Sequence, residues 1–421
     1  MEAAKPSLTI APRRPLIERL GLTGIDGVML GAAVGLIAFS VFTLATSTRN
    51  EIAGRPYYFV DRQALYAILG IALMLAISRF DYTRLREVSV TIYALMVGSI
   101  AFVFLVGTAV RGSNRWIDLP LFQFEPSELA KVLLCVSLSA LVYERVRRPF
   151  GLRATVALLA IGLAPAALVF LQPDLGTGIV LVAIALTILF VSGIPWQHFA
   201  AIGATAALLA GGAYAAGSAA GVHFLQGYQQ DRLTAFLHPS NDPGDASYQV
   251  DQSVIAVGSG EEVGRGNDAT QTELLFLPER HTDFIYAVIG ERFGFIGSSF
   301  VLLLYSILFW RAIRVMRMSA SFYGTMIAGG VLAMLAFQVL VNVGMNLGVM
   351  PVTGITLPLM SYGGSSVLGT FLALGLLQSI HAQARPNGPR PGASVEGGTL
   401  SVSLKQGATF GPRGRRKGLG Q

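Results

Sequence analysis

Residues 25–46 read IDGVMLGAAVGLIAFSVFTLAT, with no charged side chain from Gly27 to Thr46. A helix needs about 20 consecutive apolar residues to cross the hydrocarbon layer of a bilayer, so this stretch predicts a membrane-spanning helix. The polar segment before it holds Lys5, Arg13, Arg14 and Arg19, and no small-residue cleavage site is evident before Thr48. A cleaved signal peptide has a shorter apolar core, so the run is expected to be retained. Runs of the same kind follow at 63–80, 88–109, 127–144, 153–171, 174–192, 197–216, 283–310, 322–347 and 357–382. The expected fold is therefore an all-α polytopic membrane protein with ten spans and no separate soluble domain.

Composition points the same way. The chain has 421 residues, of which 53% are hydrophobic and 13% charged. Average soluble proteins carry roughly a quarter charged residues, so much of the usual charge is missing. The one cysteine, Cys135, lies in an apolar run, which excludes an internal disulfide and suggests a small buried hydrophobe. Five histidines, at 198, 223, 238, 281 and 381, show no metal-ligand spacing.

The formal charge of +7 raises the question of nucleic acid, but its distribution answers it. With the N-terminus in the cytoplasm, the inner segments collect Arg79, Arg84 and Arg86, then Arg145, Arg147, Arg148 and Arg153, then Arg311, Arg314 and Arg317. Both tails are also basic, so most of the 31 Lys and Arg fall inside. Cytoplasmic loops carry such an excess, and the inverted orientation would reverse it. The basic charge is thus assigned to topology and anionic lipids rather than nucleic acid. The expected organisation is a cytoplasmic N-terminal tail at 1–24, a membrane domain at 25–383 and a disordered basic cytoplasmic tail at 384–421. That last tail is rich in Gly, Pro, Ser and Arg and has too little apolar surface to fold. The outer connection at 217–282 is different. It contains Tyr228, Arg232, Phe236, His238, Tyr248, Ile255 and Leu274, and structureless loops of this length are uncommon unless functional. Short helices covering or lining a cavity are expected there.

Ionisable side chains at membrane depth are costly, which makes each a functional candidate. Four places stand out. Arg115-Trp-Ile-Asp118 precedes Phe124-Glu-Pro-Ser-Glu-Leu-Ala-Lys131. Pro126 suits a first helical turn with Glu125 as its cap, and Glu128 and Lys131 share a helix face. This fits a capped helix start with an ion pair, and equally a site where Arg115 and Lys131 face an anion. Gln172-Pro-Asp-Leu-Gly-Thr-Gly178 reads as a helix start with close packing. Leu277-Pro-Glu-Arg-His-Thr-Asp-Phe284 places four ionisable groups within five residues. Thr282 is a candidate cap there, but capping accounts for one or two of these groups and not all. Finally, 351–366, PVTGITLPLMSYGGSS, with two prolines, paired glycines and hydroxyls including Ser361 and Ser365, reads as a broken or re-entrant segment. Irregular backbone at that depth requires a protein-buried or wet setting.

These segments in this order resemble the SEDS family, which includes RodA and FtsW of bacterial cell-wall synthesis. The resemblance runs over residues 25–383 and is strongest at NRWIDL, PSELAK, QPDLGTG, FLPERHTDFIYAVIGE and LPLMSYGGSS. Thr270-Gln271-Thr272 is similar to the RodA branch. The resemblance implies about ten membrane helices in the bacterial cell membrane and peptidoglycan glycosyltransfer from lipid II. It also implies a class B penicillin-binding protein as partner, and Asp283 as the essential aspartate. Arg115, Glu128, Lys131, Arg280, His281, Ser361 and Ser365 become substrate-binding candidates. No metal site is read, although a divalent cation such as Mg or Mn is compatible with diphosphate chemistry. Departures from the family pattern are Glu125 for glutamine, Glu261-Glu262 for small or apolar residues, Arg292 for an acidic residue and Thr356 for proline. A lipid-precursor flippase or transporter, a scaffold for the penicillin-binding partner, and the FtsW-type role in division are the competing readings.

Overall fold

In a computed structural model of the chain, the described residues are 24–384, less positions 50, 53, 107, 111–112, 119–122, 147–149, 220–244, 275 and 278. Both expected tails lie outside the described residues except for Gly24 and Ala384, as do Tyr228, Arg232, Phe236 and His238.

Each of the ten predicted apolar runs is a helix. They are α1 (Gly27–Ser47), α2 (Tyr58–Ser78), α3 (Ser89–Val106), α4 (Pro126–Arg145), α5 (Leu152–Leu171), α6 (Leu175–Val191) and α7 (Trp196–Ala219), followed after the outer connection by three more. The connection contributes α8 (Asp245–Ser259) and the single turn α9 (Thr270–Glu273); the chain then closes with α10 (Ile285–Met318), α11 (Phe322–Asn346) and α12 (Gly364–Ala384). Among the described residues, seven of these helices are long and apolar enough to cross a membrane, and Ser89–Leu105 and Leu175–Val191 are shorter apolar helices. Between α3 and α4 the chain forms three short antiparallel strands, β1 (Thr108–Val110), β2 (Ser113–Asp118) and β3 (Gln123–Phe124), for which the sequence carried no strand expectation.

The helices sort by burial. The apolar stretches of α4 and α12 are 78% buried, whereas that of α2 is 28% buried. Outward-facing Phe42, Leu105, Phe190, Ile296, Leu303 and Trp310 are exposed, as a lipid-facing belt requires. α2 packs extensively against α12, where glycines let the two helices approach. A Cβ on Gly70 would lie 2.2 Å from the Phe371 ring, and one on Gly375 would lie 3.0 Å from the Met74 carbonyl.

Two boundaries differ from expectation. The last helix starts at Gly364, not at 357, because residues 351–363 are irregular, with positive φ at Gly354 (74°) and Leu359 (64°). The helix expected at 283–310 continues to Met318 and bends at Gly294 (φ 62°, ψ −158°). The bend breaks the helical ladder, and the turn after α8 replaces the lost partners. Phe295 N donates to Glu261 O (2.9 Å), Ile296 N donates to Glu262 O (3.1 Å), and Arg265 N donates to Glu291 O (2.8 Å). The short helices expected in the outer connection are present as α8 and the single turn α9. α8 packs on α10 and α11 over a small second core that includes Ala256, Leu277, Phe284, Ala287 and Val288.

At the opposite end of the bundle, Asp26 caps α1 by accepting from Val28 N (3.1 Å) and Met29 N (3.2 Å). The same carboxylate pairs with Arg311 of α10, and Gln378 of α12 bridges the Asp26 amide and carbonyl. Asp26 and Arg311 are both buried. Removing one member of a buried ion pair costs about 3–5 kcal/mol, because the other charge stays buried and unpaired. Arg311→Met is therefore expected to lower the melting temperature of the purified protein in detergent. Adding Asp26→Asn, which keeps a capping side chain, should recover most of that loss.

Candidate functional site

The site is built around the chain between Glu279 and α10. Glu279 has φ 53°, and its carbonyl accepts from Thr282 N (3.1 Å) and Phe284 N (3.2 Å), which closes a tight turn. Thr282 does not cap α10 as expected. Its hydroxyl lies back against Glu279 O (3.2 Å) and Glu279 Oε2 (3.1 Å), and Phe284 stands at the cap without a side-chain bond.

Three successive carbonyls of the next stretch are each taken by donors from elsewhere in the fold. His281 O accepts from Tyr362 N (2.9 Å), and Thr282 O accepts from Ser361 Oγ (2.6 Å). Asp283 O accepts from Asn342 Nδ2 (2.9 Å) and Asn346 Nδ2 (3.1 Å), both on α11. Buried backbone groups must find partners, and here the partners fix the path of the chain. The Asp283 side chain, half-buried, lies beside Gly354, where an added Cβ would stand 3.6 Å from Oδ2.

Two groups of charge flank this segment. Glu51, from the loop between α1 and α2, lies 3.1 Å from His281 Nδ1 and 3.6 Å from Arg280 Nη2. Arg280 also donates to Thr272 O, and the His281 ring sits 4.6 Å from Phe59, which in turn meets Tyr362 at 5.0 Å. The second group is on α4, where Lys131 Nζ pairs with Glu128 Oε1 at 2.8 Å, both buried. With the Gln338 amide oriented to satisfy both of its ends, its oxygen accepts from Lys131 at 2.9 Å.

Gln338, Asn342 and Asn346 are spaced four apart on α11, so they form one polar stripe on one helix face. The Lys131 contact and the Asp283 contact are therefore about one helical turn apart along α11, ~6 Å. This stripe was not singled out in the sequence, although an i, i+4 pair of asparagines in an apolar run is a legible signal. Glu51 had no such signal, because only folding brings it to His281.

The other candidates fall as follows. Ser361 Oγ donates to Thr282 O and accepts from Leu357 N (2.8 Å), so this buried hydroxyl is engaged with backbone on both sides. Ser365 ties the β3–α4 junction to α12, accepting from Glu125 N (3.0 Å) and donating to Gln123 O (3.1 Å). Glu125 occupies the cap position of α4, yet its carboxylate takes the Ser127 hydroxyl rather than a helix amide. Asp174 does cap α6, through Thr177 N at 3.1 Å. Glu291, fully buried, accepts from Gln271 N, Thr272 N and Thr272 Oγ1. Arg115 lies on β2, and its side chain is outside the described residues. Among the described residues, no group of three or more His, Cys, Asp or Glu is arranged to hold a metal ion.

A polytopic helical bundle with a half-buried aspartate, a buried lysine and an arginine–histidine–glutamate group gathered at one end defines a membrane-embedded protein with a polar site at one rim. Residues 26–386 match the FtsW/RodA/SpoVE family of cell cycle proteins, and the chain belongs to that family as a multi-pass plasma-membrane protein. It is 37% identical over 396 residues to a probable peptidoglycan glycosyltransferase FtsW of Thioalkalivibrio sulfidiphilus, covering 91% of this chain and 94% of the relative. It is 32% identical over 362 residues to the peptidoglycan glycosyltransferase MrdB of Escherichia coli K12, covering 86% and 94%. A solved chain from a peptidoglycan synthase complex, described as coordinating polymerization and crosslinking, superposes with a TM-score of 0.73 at 30% identity over 86% of this chain and 99% of that one.

The Glu51 group carries a pH signature. Burial by itself would raise the Glu51 carboxyl, but the hydrogen bond and charge of His281, with Arg280 beside it, outweigh burial and hold it below its usual 4.5. A lowered folded value means that the carboxylate stabilises the fold above its unfolded pKa and loses that contribution as pH falls through the folded one. Wild type and Glu51→Gln should therefore differ in melting temperature at pH ~5. That gap is expected to close as pH drops below ~4.

Proposed function

We propose that this chain is a peptidoglycan glycosyltransferase that polymerises lipid II into glycan strands. The observation that carries the reading is that the clamped Asp283 segment and the buried Lys131 meet α11 at contacts about one helical turn apart. In glycosyl transfer, a sugar hydroxyl attacks the anomeric carbon of the donor and the C–O bond to the diphosphate breaks. The hydroxyl proton needs a base and the departing diphosphate needs positive charge. Asp283 takes the proton, and Lys131, Arg280 and Arg115 supply the charge, since ammonium and guanidinium groups suit phosphate oxygens. Glu128 and Glu51 hold Lys131 and Arg280 in place. His281 packs against Phe59 as the wall of the site. Ser361 and Ser365 serve by holding backbone rather than by touching substrate.

In the proposed topology, ten spans with both termini in the cytoplasm, this site lies at the outer rim, where lipid II is consumed. The basic residues at the other end, Arg79, Arg84, Arg86, Arg311, Arg314 and Arg317, support that orientation. A class B penicillin-binding protein is the proposed partner, in keeping with the synthase complex whose chain superposes here. Cell-wall elongation is the proposed role, on the Thr270-Gln271-Thr272 segment held by Glu291. Division is the second reading, favoured by the 37% identity to an FtsW. Depletion distinguishes them, since loss of elongation gives round cells and loss of division gives filaments.

Asp283→Asn is expected to abolish glycan polymer formed from lipid II with the partner present, while expression and melting stay at wild-type values; a wild-type rate would remove Asp283 from the chemistry. Lys131→Ala should raise the lipid II concentration needed for half-maximal rate about tenfold or more, since a charge-assisted contact contributes about 1.5–3 kcal/mol. An unchanged concentration dependence would return the pair with Glu128 to a purely structural role.

A further inference from the structure

The α11 asparagines are not among the groups expected to meet substrate, yet they are the donors that fix Asp283. Both are fully buried. Asn342 Nδ2 donates to Asp283 O at 2.9 Å and to Ile355 O at 2.7 Å, so one amide group bridges two segments. The second segment contains Gly354, whose backbone faces the Asp283 carboxylate. Asn346 gives a second donor to Asp283 O at 3.1 Å, and its own oxygen accepts from Ala287 N (3.0 Å) in the first turn of α10. Its backbone carbonyl is held by Ser253 Oγ of α8 at 2.9 Å. The spacing between the carboxylate and the wall it faces is therefore set by Asn342, and the angle of α10 behind it by Asn346.

We propose that Asn342 is a positioning residue for the transfer reaction, with Asn346 in support, acting through Asp283 and not on the substrate. The inference rests on Asp283 being the base. A base displaced by about 1 Å can cost 10²-fold in rate, whereas a contact made only for folding leaves the rate per folded molecule unchanged. Gln338, the third member of the stripe, reaches Lys131 and not Asp283, so it falls outside the inference.

The test uses the full-length chain with its class B partner and measures kcat and KM for lipid II, per folded molecule, in four variants. Asn342→Leu matches the side-chain size and removes both donors; kcat is expected to fall at least tenfold, with KM within about twofold of wild type. Asn346→Leu, which leaves the Ile355 bridge intact, should give a smaller fall in kcat. Asn342→Gln restores the amide one methylene too far out and should recover part of the loss. Asp283→Asn is the reference. If it is inactive and folded Asn342→Leu turns over at the wild-type rate, the positioning role is overturned. A rise in KM with kcat unchanged overturns it too, since that places Asn342 on the substrate. If Asp283→Asn itself turns over normally, the catalytic reading has failed, and the inference fails with it for that separate reason. Should neither leucine variant fold, Asn342→Gln decides alone: a lowered kcat with KM held supports the role, and an unchanged kcat overturns it.

Discussion

Everything at the polar rim depends on one constraint, that unpaired peptide groups are not tolerated in a protein interior shielded from water. Residues 279–284 and 351–363 run as irregular backbone against a helical bundle, and neither stretch can satisfy itself. The bundle answers with side-chain donors placed at fixed positions: Asn342 and Asn346 from α11, and Ser361 from the irregular segment. Gln63 of α2 reaches Ser361 O (3.2 Å) from the other side. The two irregular stretches therefore brace each other through buried amides, and the aspartate that emerges between them is held by a scaffold of helices rather than by a mobile loop.

The same constraint explains the bend in α10. At Gly294 the helix gives up internal hydrogen bonds, and the turn at 261–265 supplies replacements from outside the helix. The approach is so close that a Cβ on Gly264 would lie 2.2 Å from Arg292 O, and one on Gly294 would lie 2.4 Å from Gly264 N. The added charges at Glu261 and Glu262 do not disturb this arrangement, because their carbonyls and not their carboxylates make the bonds. α8 is thereby tied to the first turns of α10, which begin directly after Asp283.

Charge is divided between the two ends of the bundle according to the work done there. At one end, Asp26 and Arg311 join α1 to α10 in a closed, buried pair, and Ser379 Oγ donates to Phe80 O (2.6 Å) between α12 and the end of α2. At the other end Asp283, His281 and Glu51 retain some exposure. A closed pair holds helices together, while a partly open group is available to a ligand.

The helices were legible in the sequence because a bilayer-spanning segment announces itself by length and lack of charge, independent of what it packs against. The Glu128–Lys131 pair was legible for a similar reason, since three residues along a helix fix their proximity. The break at 351–363 could be anticipated from its prolines and glycines, though the start of α12 at Gly364 could not, because apolar residues continue through the irregular stretch. Capping by Thr282 was a local expectation overruled when Glu279 took its hydroxyl. What only the tertiary structure decided is the company kept by Asp283: Asn342 and Asn346 lie far along the chain from it, and Glu51 further still from His281. Local pattern records periodicity and charge, but not which distant carbonyl a buried amide must satisfy, and that pairing exists only once the helices have packed.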